Sequence, residues 1–219
     1  MKILLIDQIA KVNYKYTFPL ANGLVKTGVS VKLVIDQKKE SENCLCDRIN
    51  FFNTSEKSVG KINKLANYII SYKKIDKILA NEHYDVLHTE WYTFSPIDYY
   101  FIEKFKKKYN IKYVATIHDI LPFNQKFYDT TFHKKLYNLA DSIILQAPEN
   151  IKRFAKLFPE SKEKAIMIPH GHMLDYVEEA TKRESRRLLS ISEDKIVFLF
   201  FGQIKKVKGI DVLLRALVL

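Results

Sequence analysis

Short β-branched apolar runs alternate with helical stretches from the first residues onward, and that alternation leaves few folds open. Lys2 to Ile6 reads as a buried strand, about Tyr16 to Thr27 as a helix stopped by Gly28, and Val29 to Asp36 as a second strand. Strand, helix, strand within so short a span is a βαβ unit, which requires parallel strands and a right-handed crossover. The pattern then continues. Arg48 to Phe52 is a short candidate strand, Lys61 to Ala80 an amphipathic helix, Asp85 to Thr89 a strand, and Pro96 to Tyr109 a helix. The run Tyr113 to Ile117, largely apolar and β-branched, has the character of a strand buried on both faces. After it come helices at Phe127 to Leu139 and Glu149 to Phe158, and strands at Ser142 to Gln146 and Ala165 to Ile168. The expectation is an α/β fold, a doubly wound Rossmann-like parallel sheet of six or seven strands. With 47% hydrophobic residues the chain can fill its core, and six Gly and six Pro in 219 residues exclude collagen-like and low-complexity classes.

In open parallel sheets ligands bind at the carboxyl ends of the strands, because the connections diverge there. His118 and Asp119 sit at the mouth of the Tyr113 to Ile117 strand, where an imidazole either caps the following turn or serves a site. Trp91 and Tyr92 follow the mouth of the strand before it, so their ring faces are available either to stack on a ligand or to pack beneath the loop. The connection from Asp7 to Lys15 has no glycine, so the dinucleotide fingerprint of an NAD or FAD enzyme is missing. No Asp-x-Asp or His/Asp ligand cluster calls for a metal, and no cofactor is expected.

The net charge of +11 is concentrated before residue 175 and favours anionic partners: phosphate-bearing substrates, an anionic membrane surface or nucleic acid. No RNA- or DNA-binding motif accompanies it, which argues against nucleic acid. On the Lys61 to Ala80 helix, Ile62, Leu65, Ala66, Ile69, Tyr72, Ile75 and Leu79 form the apolar stripe. Lys61, Lys64, Lys73, Lys74 and Lys77 lie away from it, either as a solvated face or as a membrane contact. Cys44 and Cys46, one residue apart, make a poor disulfide and at most half a metal site, so free thiols in a reducing compartment are expected. Neither a signal peptide nor a membrane span is legible, so the expected location is the cytoplasm, peripheral at the inner face of the membrane.

After His172 the pattern changes. Residues 1–174 read as the sheet domain, 175–190 as a charged linker, and 191–219 as the start of a second domain with a strand at Ile196 to Phe201 and a helix at Ile210 to Leu217.

Three segments resemble the retaining, GT-B-fold glycosyltransferases of family four. Phe201-Gly202-Gln203-Ile204-Lys205-Lys206-Val207-Lys208-Gly209-Ile210-Asp211 is similar to the family's F-x-G-R-x-x-x-x-K-G-x-D loop, Ile168-Pro169-His170-Gly171 to its I-P-N-G, and Thr116-Ile117-His118-Asp119 to its T-x-H-D. The resemblance implies two Rossmann-like domains facing a cleft, an acceptor side in the first and a nucleotide-sugar side in the second. It implies His118 at the reacting face, Trp91, Tyr92 and Asp119 toward a glycan or lipid-linked acceptor, and Gly202, Gln203, Lys208 and Gly209 on the donor diphosphate. Cations and backbone N–H groups suit a departing nucleoside diphosphate, and they make a metal unnecessary. The chain departs from the pattern at Gln203, which replaces an arginine of the diphosphate clamp, at His170, which replaces an asparagine, and at Asn13 to Tyr16, where a Gly-rich turn is usual. The family's acidic donor-sugar motif would fall beyond Leu219, so the expectation for the chain alone is an inactive first domain plus one βα unit, self-associating through Ile196 to Phe201. A second reading is a non-catalytic Rossmann-like partner or binding module of a two-chain glycosyltransferase.

Overall fold

The computed structural model describes residues 1–36, 44–52, 60–171, 179–202 and 204–217. Its Cα framework divides into Met1–Met173 and Leu174–Leu219. In the first unit seven strands form one parallel sheet: β1 (Lys2–Asp7), β2 (Ser30–Ile35), β3 (Asp47–Asn50), β4 (Val86–Thr89), β5 (Lys112–Thr116), β6 (Ser142–Leu145) and β7 (Ala165–Met167). Their spatial order is β3-β2-β1-β4-β5-β6-β7. The chain therefore winds outward from β1 to β3, returns to β4, and winds outward the other way, which places the reversal between β1 and β4.

Burial explains why these runs are strands. Ile3 and Leu5 of β1 point to one face, where they pack with Leu33 and Ile35 of β2 and with Phe18 and Ala21 of helix α1 (Ala10–Lys26). Leu4 and Ile6 point to the other face, into a cluster that includes Tyr68, Tyr72 and Ile75 of α2 (Lys61–Asn81) and Phe101, Ile102 and Phe105 of α3 (Ser95–Tyr109). The period-2 alternation of a strand thus feeds two cores. Helices α4 (Asp129–Leu139) and α5 (Pro148–Leu157) complete the second cluster through Leu136, Tyr137 and Phe154.

Three elements depart from the sequence reading. Helix α1 begins at Ala10, not near Tyr16, because acids brought up by the sheet satisfy its first amides: Asp7 accepts from the Ile9 N–H at 3.0 Å and Asp36 from the Lys11 N–H at 2.8 Å. On α2 the buried stripe is Tyr68, Tyr72, Ile75 and Leu79, whereas Ile62 and Leu65 in its first turns are exposed. In the second unit, Ile196 to Phe201 joins no sheet and Ile196, Leu199 and Phe201 are exposed. An apolar run becomes a strand only where a neighbour supplies ladder hydrogen bonds, and no described residue of this unit pairs with it. The second unit does hold two short helices. Thr181 and Glu184 form a reciprocal capping box at the start of α6 (Lys182–Leu188), and α7 spans Ile210–Ala216. Cys44 and Cys46 are free thiols with their sulfurs 3.2 Å apart.

Beneath the carboxyl edge of the sheet, Asp98 is wholly buried in a polar knot. Its Oδ1 accepts from the hydroxyls of Tyr68 (2.5 Å) and Tyr72 (2.6 Å) and from the Gln8 amide (2.9 Å), and its Oδ2 accepts from the Phe94 N–H (3.0 Å). Gln8 in turn accepts from the Thr93 N–H at 2.9 Å. The knot ties the loop after β1 to the loop after β4. Burial outweighs these four donors and pushes the Asp98 carboxyl up to about 6. A carboxyl raised in the folded state binds its proton more tightly there than in the unfolded chain, so its contribution to stability is largest in acid and is lost as pH rises through that window. The stability advantage of the wild type over Asp98→Asn should therefore shrink by about 3 kcal/mol between about pH 4 and about pH 7. Urea unfolding at a series of pH values measures it, and an advantage that grows with pH would contradict the account.

Candidate functional site

Parallel strands end on one edge, and here that edge gathers Asp7 from β1, Glu90 just past β4, His118 two residues past β5, and Gln146 just past β6. The register fixes the gathering: Ile6 lies opposite Thr89, and Thr89 opposite Ala115. Glu90 and His118 therefore arrive side by side, with Glu90 Oε2 2.8 Å from His118 Nε2. The Glu90 side chain is 0% exposed and that of His118 11%. Trp91 stacks on the imidazole with ring centres 4.7 Å apart and planes 14° apart. Tyr16, from α1, meets it edge-on at 4.8 Å and also contacts His170, beyond β7, at 4.9 Å. The ring is wedged on both sides and open at its rim to a pocket of about 180 Å³, which Trp91, Tyr92 and Asp119 also line.

The electrostatics follow from burial. Glu90 Oε1 has no hydrogen-bond partner among the described residues, nor has Trp91 Nε1 or Gln146 Nε2. His88 Nε2 is 3.7 Å from Glu90 Oε1 but is engaged by the Thr116 hydroxyl at 2.8 Å, and burial pulls the His88 imidazole down to about 4, so it is neutral. Burial, reinforced by the nearby Asp7, holds the Glu90 carboxyl well above the usual range. Burial also lowers the His118 imidazole, against the opposing pull of Asp7, the Gln146 amide and Asp119. Both shifts favour the uncharged forms, an acid hydrogen-bonded to an imidazole. Such a pair binds and orients polar groups without presenting a net charge.

Of the residues singled out in the sequence, the first unit brings four together. His118, Trp91 and Asp119 line the pocket, and Tyr92 lines it with its ring while its hydroxyl is bonded to that of Tyr113 at 2.6 Å. Tyr92 is therefore as much core as site. In the second unit, Gly202 has φ 128°, Lys208 ends a 3-10 turn with an exposed side chain, and Gly209 has φ 63°, a left-handed conformation suited to glycine. Gln203 lies outside the described residues. Sequence reasoning missed Glu90, Tyr16 and Gln146. The signal for Glu90 was present, since it occupies the same strand-mouth position on β4 that His118 occupies near β5. Among the described residues no group of three or more His, Cys, Asp or Glu could hold a metal ion, and no helix is long and apolar enough to cross a membrane.

A doubly wound parallel sheet with a pocket on its carboxyl edge, next to the point where the strand order reverses, is a Rossmann-like binding unit. The chain belongs to glycosyltransferase family 4, whose model matches residues 15–176. It is also similar to a D-inositol 3-phosphate glycosyltransferase of Geodermatophilus obscurus, 27% identical over 77 residues that make up 35% of this chain and 17% of that protein. Among solved structures, the catalytic domain of starch synthase IV from Arabidopsis thaliana, bound to ADP and acarbose, superposes with a TM-score of 0.63 at 10% identity, over 89% of this chain and 60% of that one. A sucrose-phosphate synthase structure from Thermosynechococcus elongatus gives 0.52 at 15% identity, over 87% and 95%. These likenesses agree on the fold, that of the N-terminal region of a GT-B glycosyltransferase.

The neutral pair carries a stability signature. Replacing one member of a buried ion pair costs about 3–5 kcal/mol, whereas exchanging a neutral acid for a near-isosteric amide costs about 1 kcal/mol or less. Glu90→Gln is expected to fall in the second class by denaturant unfolding at neutral pH, and a loss in the first would show that Glu90 and His118 are ionised.

Proposed function

We propose that the protein transfers a sugar, with retention, from a nucleotide-sugar donor to a glycan or lipid-linked acceptor in cell-surface polysaccharide assembly. Family membership supports sugar transfer, and one observation carries the choice of site: His118 is fixed between Trp91 and Tyr16 at the rim of a pocket on the ligand-binding edge. In this reading the acceptor lies against Trp91, Tyr92 and Asp119, and His118 orients the reacting hydroxyl or the transferred sugar. Lys208, with the backbone of Gly202 and Gly209 and the side chain of Gln203, serves the donor diphosphate, where negative charge grows as the sugar departs. With those cations and amides no metal is required.

A lipid-linked acceptor is supported by a second, largely apolar pocket of about 370 Å³ that Tyr16 and His170 line together with Pro19, Leu20, Leu24 and Ile168. Exposed Ile62 and Ile70 on α2, among exposed Lys73, Lys74 and Lys77, support contact with an anionic membrane from the cytoplasmic side. The exposed apolar residues of Ile196 to Phe201 support self-association.

The test is turnover of uridine- and guanosine-diphosphate sugars by the full-length protein and by two variants of it. His118→Ala should lower kcat by about 100-fold or more, and Lys208→Ala by about 10-fold or more. Activity unchanged by both substitutions would remove the site assignment.

A further inference from the structure

We propose that Glu90 is a positioning residue that fixes His118 as a hydrogen-bond donor, with its proton on Nδ1, so that the ring polarises an oxygen and does not act as a base. The substrate in this statement rests on the glycosyl-transfer reading; the state of the ring does not.

The argument is one of hydrogen-bond accounting. Glu90 Oε2 and His118 Nε2 are 2.8 Å apart, so one proton lies between them. Four arrangements satisfy that distance, counting the ion pair of a carboxylate with an imidazolium, which buries two charges and is disfavoured by the same burial. If Glu90 were ionised and accepted from Nε2–H, the ring would keep a lone pair on Nδ1 and resemble the base of an acid–base dyad. That arrangement buries a carboxylate with 0% exposure whose only partners at ion-pair distance, among the described residues, are His118 and His88. His88 is held by Thr116 and is neutral, and Asp7, at the end of β1, adds a second acid nearby. An isolated carboxylate in such surroundings is costly.

If instead Glu90 were protonated but still accepted from Nε2–H, its own O–H would have to lie on Oε1, which has no hydrogen-bond partner among the described residues. A buried donor left unpaired costs about 1–3 kcal/mol. The remaining arrangement, Oε2–H donating to the Nε2 lone pair, pairs the carboxyl proton and leaves the ring N–H to the Gln146 amide or to a ligand oxygen. It requires the neutral ring to carry its hydrogen on Nδ1.

The other groups facing the pair do not reverse this. Tyr16 of α1 presents a ring, and its hydroxyl is held protonated by burial. The Gln146 amide, beside the ring, favours a protonated nitrogen, as does Asp119 from the loop after β5. His118 thus offers N–H to a lone pair: the oxygen of a sugar hydroxyl or of a phosphate. A neutral donor of this kind can orient a ligand oxygen and stabilise charge growing on it, and it cannot accept a proton from an attacking hydroxyl.

The experiment is long-range nitrogen–proton correlation NMR of the whole chain labelled with 15N-histidine, with His118 assigned by His118→Gln. In the wild type the expected pattern is a protonated Nδ1 and an unprotonated, hydrogen-bonded Nε2, persisting from about pH 6 to about pH 8. Glu90→Gln should keep that pattern, since its amide N–H can donate to Nε2, whereas Glu90→Ala should lose it and shift the ring to the Nε2–H tautomer. A wild-type ring with its proton on Nε2, or the same spectrum in wild type and Glu90→Ala, would overturn the proposal. The wild-type spectrum decides the matter even if Glu90→Ala fails to fold. The transfer reading fails separately, through unimpaired turnover in His118→Ala.

Discussion

A parallel sheet has one edge at which all its strands finish, and the chemistry available to this chain is set by what the strands carry there. The register that pairs β1 with β4 and β4 with β5 brings an acid and an imidazole from segments 28 residues apart to hydrogen-bond distance. Neither residue has the same character elsewhere. Glu90 on a surface would be a solvated carboxylate and His118 a titrating ring; side by side against Trp91 and Tyr16, both are pushed toward their uncharged forms.

That unit is held by layers that do no chemistry of their own. The knot of Gln8, Tyr68, Tyr72 and Asp98 joins the loops after β1 and β4, and so fixes the segment that carries Trp91. Further out, Asp7 accepts from Thr17 and Asn13 of α1, which secures the helix that delivers Tyr16. Each tie is a buried or partly buried polar contact with a specific partner, and such contacts lock geometry more narrowly than apolar packing does.

The sheet was readable from the sequence because burial on both faces leaves a plain mark, a run of apolar residues with turn residues at each end. His118 was readable for the same reason, as the first polar side chain beyond such a run. The start of α1 was not, since its amides are met by Asp36, an acid from another strand, and by Asp7, which looks like an ordinary strand terminus in isolation. Glu90 escaped notice because a single carboxyl among His88, Thr89 and Trp91 acquires meaning only from the strand paired beside it. Ile196 to Phe201 shows the converse: composition marks a run as apolar, but only a neighbouring strand makes it part of a sheet.

Trp91 is the sole tryptophan of the chain, and it stacks on His118 at the rim of the pocket. Its fluorescence therefore reports on this site and no other. Titration with nucleotide sugars, followed in parallel by calorimetry, is predicted to give a saturable change in Trp91 emission with the same midpoint as the heat of binding. Heat of binding without any response from Trp91 would place the sugar elsewhere and contradict the account.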